Sequence, residues 1–135
     1  MPTRLFVYGT LLRGELNYGL LAEARFVRPA ATPPAYTLYA LDGHPGMGDE
    51  GVTGVLGEVF DVDATTLQAL DALEGHPDWY VRRPIVLADG ERVETYILPA
   101  RFTAQRAVIE DGDWRRWRRE RERDAASAAT PRDKH

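Results

Sequence analysis

Leu5-Phe6-Val7-Tyr8-Gly9-Thr10-Leu11 is the stretch on which the reading of the fold turns. Four strand-forming or apolar residues run into Gly9, which stops them, and a Leu-rich segment follows over residues 16–24. The pattern predicts a short buried strand, a turn and a helix. In a turn between strand and helix, successive backbone N–H groups can converge on an anion, which gives a carboxylate or phosphate a place to dock. Gly-Thr after a strand is also an ordinary turn, so the stretch is not decisive about function by itself.

Outward from it, Pro29, Pro33 and Pro34 cluster ahead of Tyr36-Thr37-Leu38-Tyr39-Ala40-Leu41, a strand-forming run. Residues 42–51, with four glycines and Pro45, read as a loop. Residues 52–62 read as a curved central strand, with Gly54 and Gly57 marking bulges or sharp bending. Asp63 suits the N-cap of a helix of about three turns, and Gly75-His76-Pro77 supplies its stop. Residues 80–87 and 92–98 form a hairpin through Asp89-Gly90. The strands are short and outnumber the helices, so the predicted fold is α+β, a small, mainly antiparallel β-barrel with a few short helices.

A chain of 135 residues suits one core without disulfides or metal staples. Its 44% hydrophobic and 28% charged residues are those of an ordinary globule, and no apolar run approaches the roughly 18 residues of a membrane span. The N-terminus runs straight into strand-like sequence with no apolar export region, and there is no cysteine, so a cytoplasmic location is expected. Residues 1–113 carry 9 basic and 17 acidic side chains, whereas 114–135 carry 8 and 4. The expected organisation is a domain over 1–114 and a tail over 115–135, basic and helical at first.

Absences narrow the chemistry. The only serine is Ser127, in an Ala/Ser/Thr stretch near the C-terminus, which leaves no residue for a serine-hydrolase triad. The only lysine is Lys134, the penultimate residue, so Schiff-base and P-loop chemistry lack their lysine. His44, His76 and His135 show no metal-binding spacing, and no metal or cofactor is expected. Carboxylate acid/base catalysis becomes the leading class.

Glu74 is the carboxylate that periodicity singles out. It lies four positions from Leu70 and, at 100° per residue, about 20° around the helix from Leu67, on the buried stripe. Desolvation and the negative end of the helix both disfavour its charged form. Periodicity leaves a second reading open, a glutamate that bends out to water or pairs with Arg82 or Arg83.

Taken together, these features resemble the γ-glutamylcyclotransferase-like family, the group of AIG2-like proteins and γ-glutamylamine cyclotransferases. The resemblance rests, in family order, on Leu5-Phe6-Val7-Tyr8-Gly9-Thr10-Leu11, Gly57-Glu58-Val59-Phe60, Leu70-Asp71-Ala72-Leu73-Glu74-Gly75, Tyr80-Val81-Arg82 and Gly112-Asp113-Trp114. It implies that Tyr8, Gly9, Thr10 and Leu11 hold a γ-glutamyl substrate and that Glu74 is catalytic. The implied reaction is attack of the substrate's α-amine on its own γ-amide carbonyl, giving 5-oxoproline and a free amine with no covalent enzyme intermediate. One glutamate with a raised pKa could move both protons. Tyr80 and Arg82 alternate on one strand and could orient substrate or carboxylate; an interior Tyr and a structural ion pair is the other reading. Glu58 is a further candidate carboxylate, ranked second.

The tail joins arginines to Trp114 and Trp117, a mixture that also suits nucleic acid. The acidic body argues against that partner, and Arg116 with Glu120 and Arg118 with Glu122 have the i,i+4 spacing of a solvated helix packed back by its Trp residues. Residues 125–135 are expected to be disordered. The sequence thus predicts an enzyme acting on a small γ-glutamyl compound, with no nucleic-acid or membrane partner. The alternative is a non-catalytic module that binds a small acidic metabolite in the same pocket.

Overall fold

A computed structural model describes residues 2–129. The strands are β1 (Thr3–Val7), β2 (Arg25–Ala31), β3 (Tyr36–Ala40), β4 (Pro45–Thr53), β5 (Leu56–Val62), β6 (Val81–Val86), β7 (Arg92–Ile97) and β8 (Ala107–Val108); the helices are α1 (Ala64–Glu74) and α2 (Trp114–Ala129). The α+β class holds.

The strands make two sheets rather than one closed barrel: five strands in the order β2-β5-β1-β7-β6, and three in the order β4-β3-β8. The larger sheet bends until its edges approach: the Ala88 N–H donates to the Ala31 carbonyl at 2.9 Å and Arg28 on β2 reaches Asp89 and Glu91 at the β6–β7 turn, but among the described residues no ladder of backbone bonds closes the ring. Pairing is antiparallel except between β1 and β7, where Leu5 faces Glu94 in a parallel register.

β1 sits at the centre of the larger sheet, and Leu5, Phe6 and Val7 are buried. It ends at Val7, and the next residues turn away toward the cavity described below. Helix α1 begins and ends where its caps dictate: the Thr66 N–H donates to Asp63 Oδ1 at 2.8 Å, and Gly75 closes it with φ 66° and ψ 32°, a left-handed conformation that glycine adopts without a Cβ penalty. After Gly75 the chain doubles back, with the Trp79 N–H on the Gly75 carbonyl and the Tyr80 N–H on the Glu74 carbonyl. The β6–β7 hairpin turns at Asp89-Gly90 as its sequence requires.

Besides the barrel, further expectations are corrected, among them the single strand over residues 52–62, which is split because β4 ends at Thr53 in the smaller sheet and β5 begins at Leu56 in the larger. Residues 16–24 contain only a single 3-10 turn, Tyr18–Leu21, because Leu16 is 84% exposed and the leucines make no buried stripe to hold a helix. Residues 42–51 are not all loop, since β4 begins at Pro45 and pairs with β3. Helix α2 continues to Ala129, so residues 125–129 are helical; residues 130–135, the rest of the stretch expected to be disordered, lie outside the described residues. The Arg116–Glu120 and Arg118–Glu122 pairs on α2 form at 2.6 and 2.7 Å, and Trp114 is buried. No helix among the described residues is long and apolar enough to cross a membrane.

Candidate active site

A cavity of about 310 Å³ opens between the end of β1, the end of α1 and the β3–β4 turn. Its wall includes Tyr8, Gly9, Thr10 and Leu11 on one side and Glu74 on the other, so the loop and the carboxylate that the sequence singled out share one cavity.

Each side is fixed by its own local chemistry. The Tyr8 hydroxyl donates to the Tyr96 carbonyl at 2.7 Å and accepts the Met47 N–H at 3.1 Å, tying the loop to both sheets. Thr10 Oγ1 accepts from Asn17 Nδ2 at 2.9 Å, and the Thr10 carbonyl takes the Asn17 N–H at 2.7 Å. No acceptor among the described residues takes the N–H of Gly9, Thr10 or Leu11. They are donors in reserve, the kind of group that can hold a carboxylate or an oxyanion.

Glu74 is half-buried at the C-terminal end of α1, and no ion pair or side-chain hydrogen bond to another described residue offsets its desolvation. Burial pushes its carboxyl up from 4.5 to about 7. Such a group can take and return a proton at neutral pH.

Arg82 and Tyr80 stand elsewhere. Arg82 grips Asp71 with two bonds, at 2.9 and 3.2 Å, and reaches Glu94 at 3.0 Å. Burial raises the Asp71 carboxyl, but Arg82 and the Tyr96 hydroxyl, which donates at 2.6 Å, outweigh it and hold it below the usual range. The Tyr80 hydroxyl donates to the Pro45 carbonyl at 2.7 Å. With that proton spent, His44 Nδ1 donates to the Tyr80 oxygen at 3.1 Å. Neither Tyr80 nor Arg82 lines the cavity, and both act as structural supports behind it. Glu58 is buried but also lies off the cavity, held by Arg13 and Arg115.

With the site in place, comparison with known proteins becomes specific. The family model for γ-glutamyl cyclotransferase, AIG2-like, matches residues 5–116, most of the chain and every element that builds the cavity. The chain belongs to this family. The γ-glutamylcyclotransferase family protein YtfP of Escherichia coli is 32% identical, over 82% of this chain and 95% of its own length. γ-Glutamylaminecyclotransferase C of Danio rerio is 35% identical, over 62% of this chain and 60% of its own length. Among solved structures, a uropathogenic E. coli-specific protein superposes with a TM-score of 0.74 at 31% identity, covering 87% of this chain and 95% of that one. A Mus musculus AIG2-like protein gives 0.71 at 24% identity, over 83% and 88%, a likeness of fold.

The cavity also includes residues that sequence reasoning passed over: Asp42, His44, Pro45, Trp79 and Tyr96. Burial pushes the His44 imidazole below its usual value, and its ring meets Trp79 edge to face at 5.3 Å. Asp42 to Pro45 arrive at the turn of the β3–β4 hairpin, where the Leu41 N–H donates to the His44 carbonyl at 2.9 Å across Asp42-Gly43. That Asp-Gly pair is a hairpin signal of the same kind as Asp89-Gly90, and reading 42–51 as loop passed over it. Trp79 also had a signal, an aromatic pair placed directly after a helix stop. Among the described residues no group of three or more His, Asp or Glu side chains could hold a metal ion.

Proposed function

We infer that this protein is a cyclotransferase that converts the γ-glutamyl group of a small amine or amide conjugate to 5-oxoproline. The observation that carries the reading is an unpartnered Glu74, with its carboxyl raised to about 7, in one cavity with the unsatisfied amides of Gly9, Thr10 and Leu11. The γ-glutamylamine named for family relatives supplies the substrate class.

The chemistry needs no protein nucleophile. Glu74 as carboxylate removes a proton from the substrate's α-ammonium; the freed amine attacks the γ-carbonyl carbon and closes a five-membered ring. The loop N–H groups stabilise the oxyanion or hold the α-carboxylate. As the bond to the leaving nitrogen breaks, Glu74 returns the proton to it. The ring nitrogen, which still carries one proton too many after the attack, passes it through the restored carboxylate to the departing amine, so the products are 5-oxoproline and an ammonium and Glu74 ends as a carboxylate. A cavity that folds the substrate into attack geometry supplies much of the acceleration.

The test is release of 5-oxoproline from a γ-glutamyl amine. General acid/base catalysis is worth about 100- to 10,000-fold, so Glu74→Gln should lose that much in kcat and keep its affinity. Turnover by Glu74→Gln at the wild-type rate would overturn the role of Glu74. A wild type that binds the conjugate and releases nothing would be the binding module instead.

A further inference from the structure

The flank of the cavity over residues 13–17 belongs to no strand or helix, yet Leu16 and Asn17 on it line the cavity and Asn17 bonds Thr10 through both its side chain and its N–H. Something outside the loop must fix it, and the contacts lead to α2. The Glu15 side chain is only 4% exposed, and Arg118 holds its two oxygens at 2.6 and 2.8 Å. Arg115, one turn earlier, donates to the Arg13 carbonyl at 2.6 Å and to Glu58 Oε2 at 3.2 Å. Glu58, on β5 and likewise 4% exposed at its side chain, takes the Arg13 N–H at 2.9 Å and Arg13 Nε at 3.2 Å.

Two desolvated carboxylates therefore bind loop, strand and helix into one network. A two-pronged arginine on a carboxylate is geometrically specific, and a buried carboxylate deprived of its partner is strongly disfavoured. With α2 docked through Trp114, the loop has one favoured position. Arg118 lies beyond residue 116, where the family match ends.

We propose that α2 is a positioning element of the cavity: Arg118 and Arg115 set the 13–17 loop and, through Asn17, set Thr10 for the ligand. The helix touches no substrate and acts only through that loop.

The experiment uses the full chain with Arg118→Ala and Arg118→Lys. Amide hydrogen exchange at Asn17 and Tyr18, whose N–H groups donate to the Thr10 and Glu15 carbonyls, should be at least about tenfold faster in Arg118→Ala, with β1 and β5 unchanged and Arg118→Lys intermediate. With a γ-glutamyl amine, KM should rise about tenfold while kcat stays within about twofold, the signature of lost ground-state positioning. Unchanged exchange at Asn17, or acceleration of β1 and β5 in step with it, overturns the proposal. If Arg118→Ala does not fold, Glu15→Gln carries the same comparison. The kinetic arm rests on the cyclotransferase reading and the exchange arm does not: a wild type that releases no 5-oxoproline sinks that reading, and the exchange result still decides the role of α2.

Discussion

Gly9 and Pro45 approach so closely that a Cβ on Gly9 would stand 2.5 Å from Pro45 Cγ and 2.6 Å from Cδ. The ring has little room to yield, because the Tyr80 hydroxyl holds the Pro45 carbonyl at 2.7 Å and Pro45 is buried. Gly9→Ala should therefore act as overpacking, costing roughly 1–3 kcal/mol. Thermal or urea unfolding reads the effect, and a midpoint equal to wild type would mean that Pro45 moves aside freely.

The Tyr8 hydroxyl bridges two sheets through main-chain partners on β4 and β7, so removing it strands the Met47 N–H and the Tyr96 carbonyl in a buried place. Tyr8→Phe should lower stability by roughly 1–3 kcal/mol, the penalty for buried polar groups left unmade. Urea unfolding should show a lower midpoint with the same slope. An unshifted midpoint would mean that water replaces the hydroxyl.

What the sequence made legible were the features with strong local rules. Asp63 and Gly75 bound α1 because a cap needs a side-chain acceptor at one end and a left-handed residue at the other. The hairpin at Asp89-Gly90 was readable for the same reason. β2 was hidden by Pro29, which reads as a breaker; it is tolerated because β2 is an edge strand, where a missing N–H breaks no ladder. β4 was hidden by its glycines, yet Gly46 and Gly48 lie there because Leu98 and Tyr39 leave no room for side chains. Of the site, helical phase offered the inward turn of Glu74 as one of two readings. His44 and Pro45 reach the cavity from the Asp42-Gly43 hairpin turn, a signal lost in the glycine-rich run, whereas Tyr96 reaches it through pairing of β7 with β1, far apart in the chain, which no local pattern encodes.

Arg82 and Asp71 hold the end of α1 against the β6–β7 hairpin, and Asp71 also receives the Tyr96 hydroxyl. Arg82→Lys keeps the charge but loses the planar fork, so it should recover only part of the stability that Arg82→Ala loses, which is roughly 1–3 kcal/mol. Because Arg82 lies off the cavity, kcat/KM of both variants should change little where they remain folded. A large fall in kcat at unchanged stability would put Arg82 in the chemistry.

Glu74 makes both stability and activity depend on pH, in opposite senses. Its carboxyl titrates at about 7 in the native protein against an ordinary 4.5, so between those values the folded chain keeps a proton that the unfolded chain has released. Stability must then fall as pH rises through this window, by an amount on the order of 3 kcal/mol once both states are ionised. Glu74→Gln cannot ionise and escapes the loss: its unfolding midpoint should match wild type near pH 4 and exceed it increasingly up to pH 8. Activity runs the other way, because the carboxylate is the base, so kcat/KM of the wild type should rise with pH along a limb centred near pH 7. A stability gap between the two proteins that stays constant from pH 4 to 8 would mean that Glu74 is solvated in the native state, and the acid/base role would lose its physical basis.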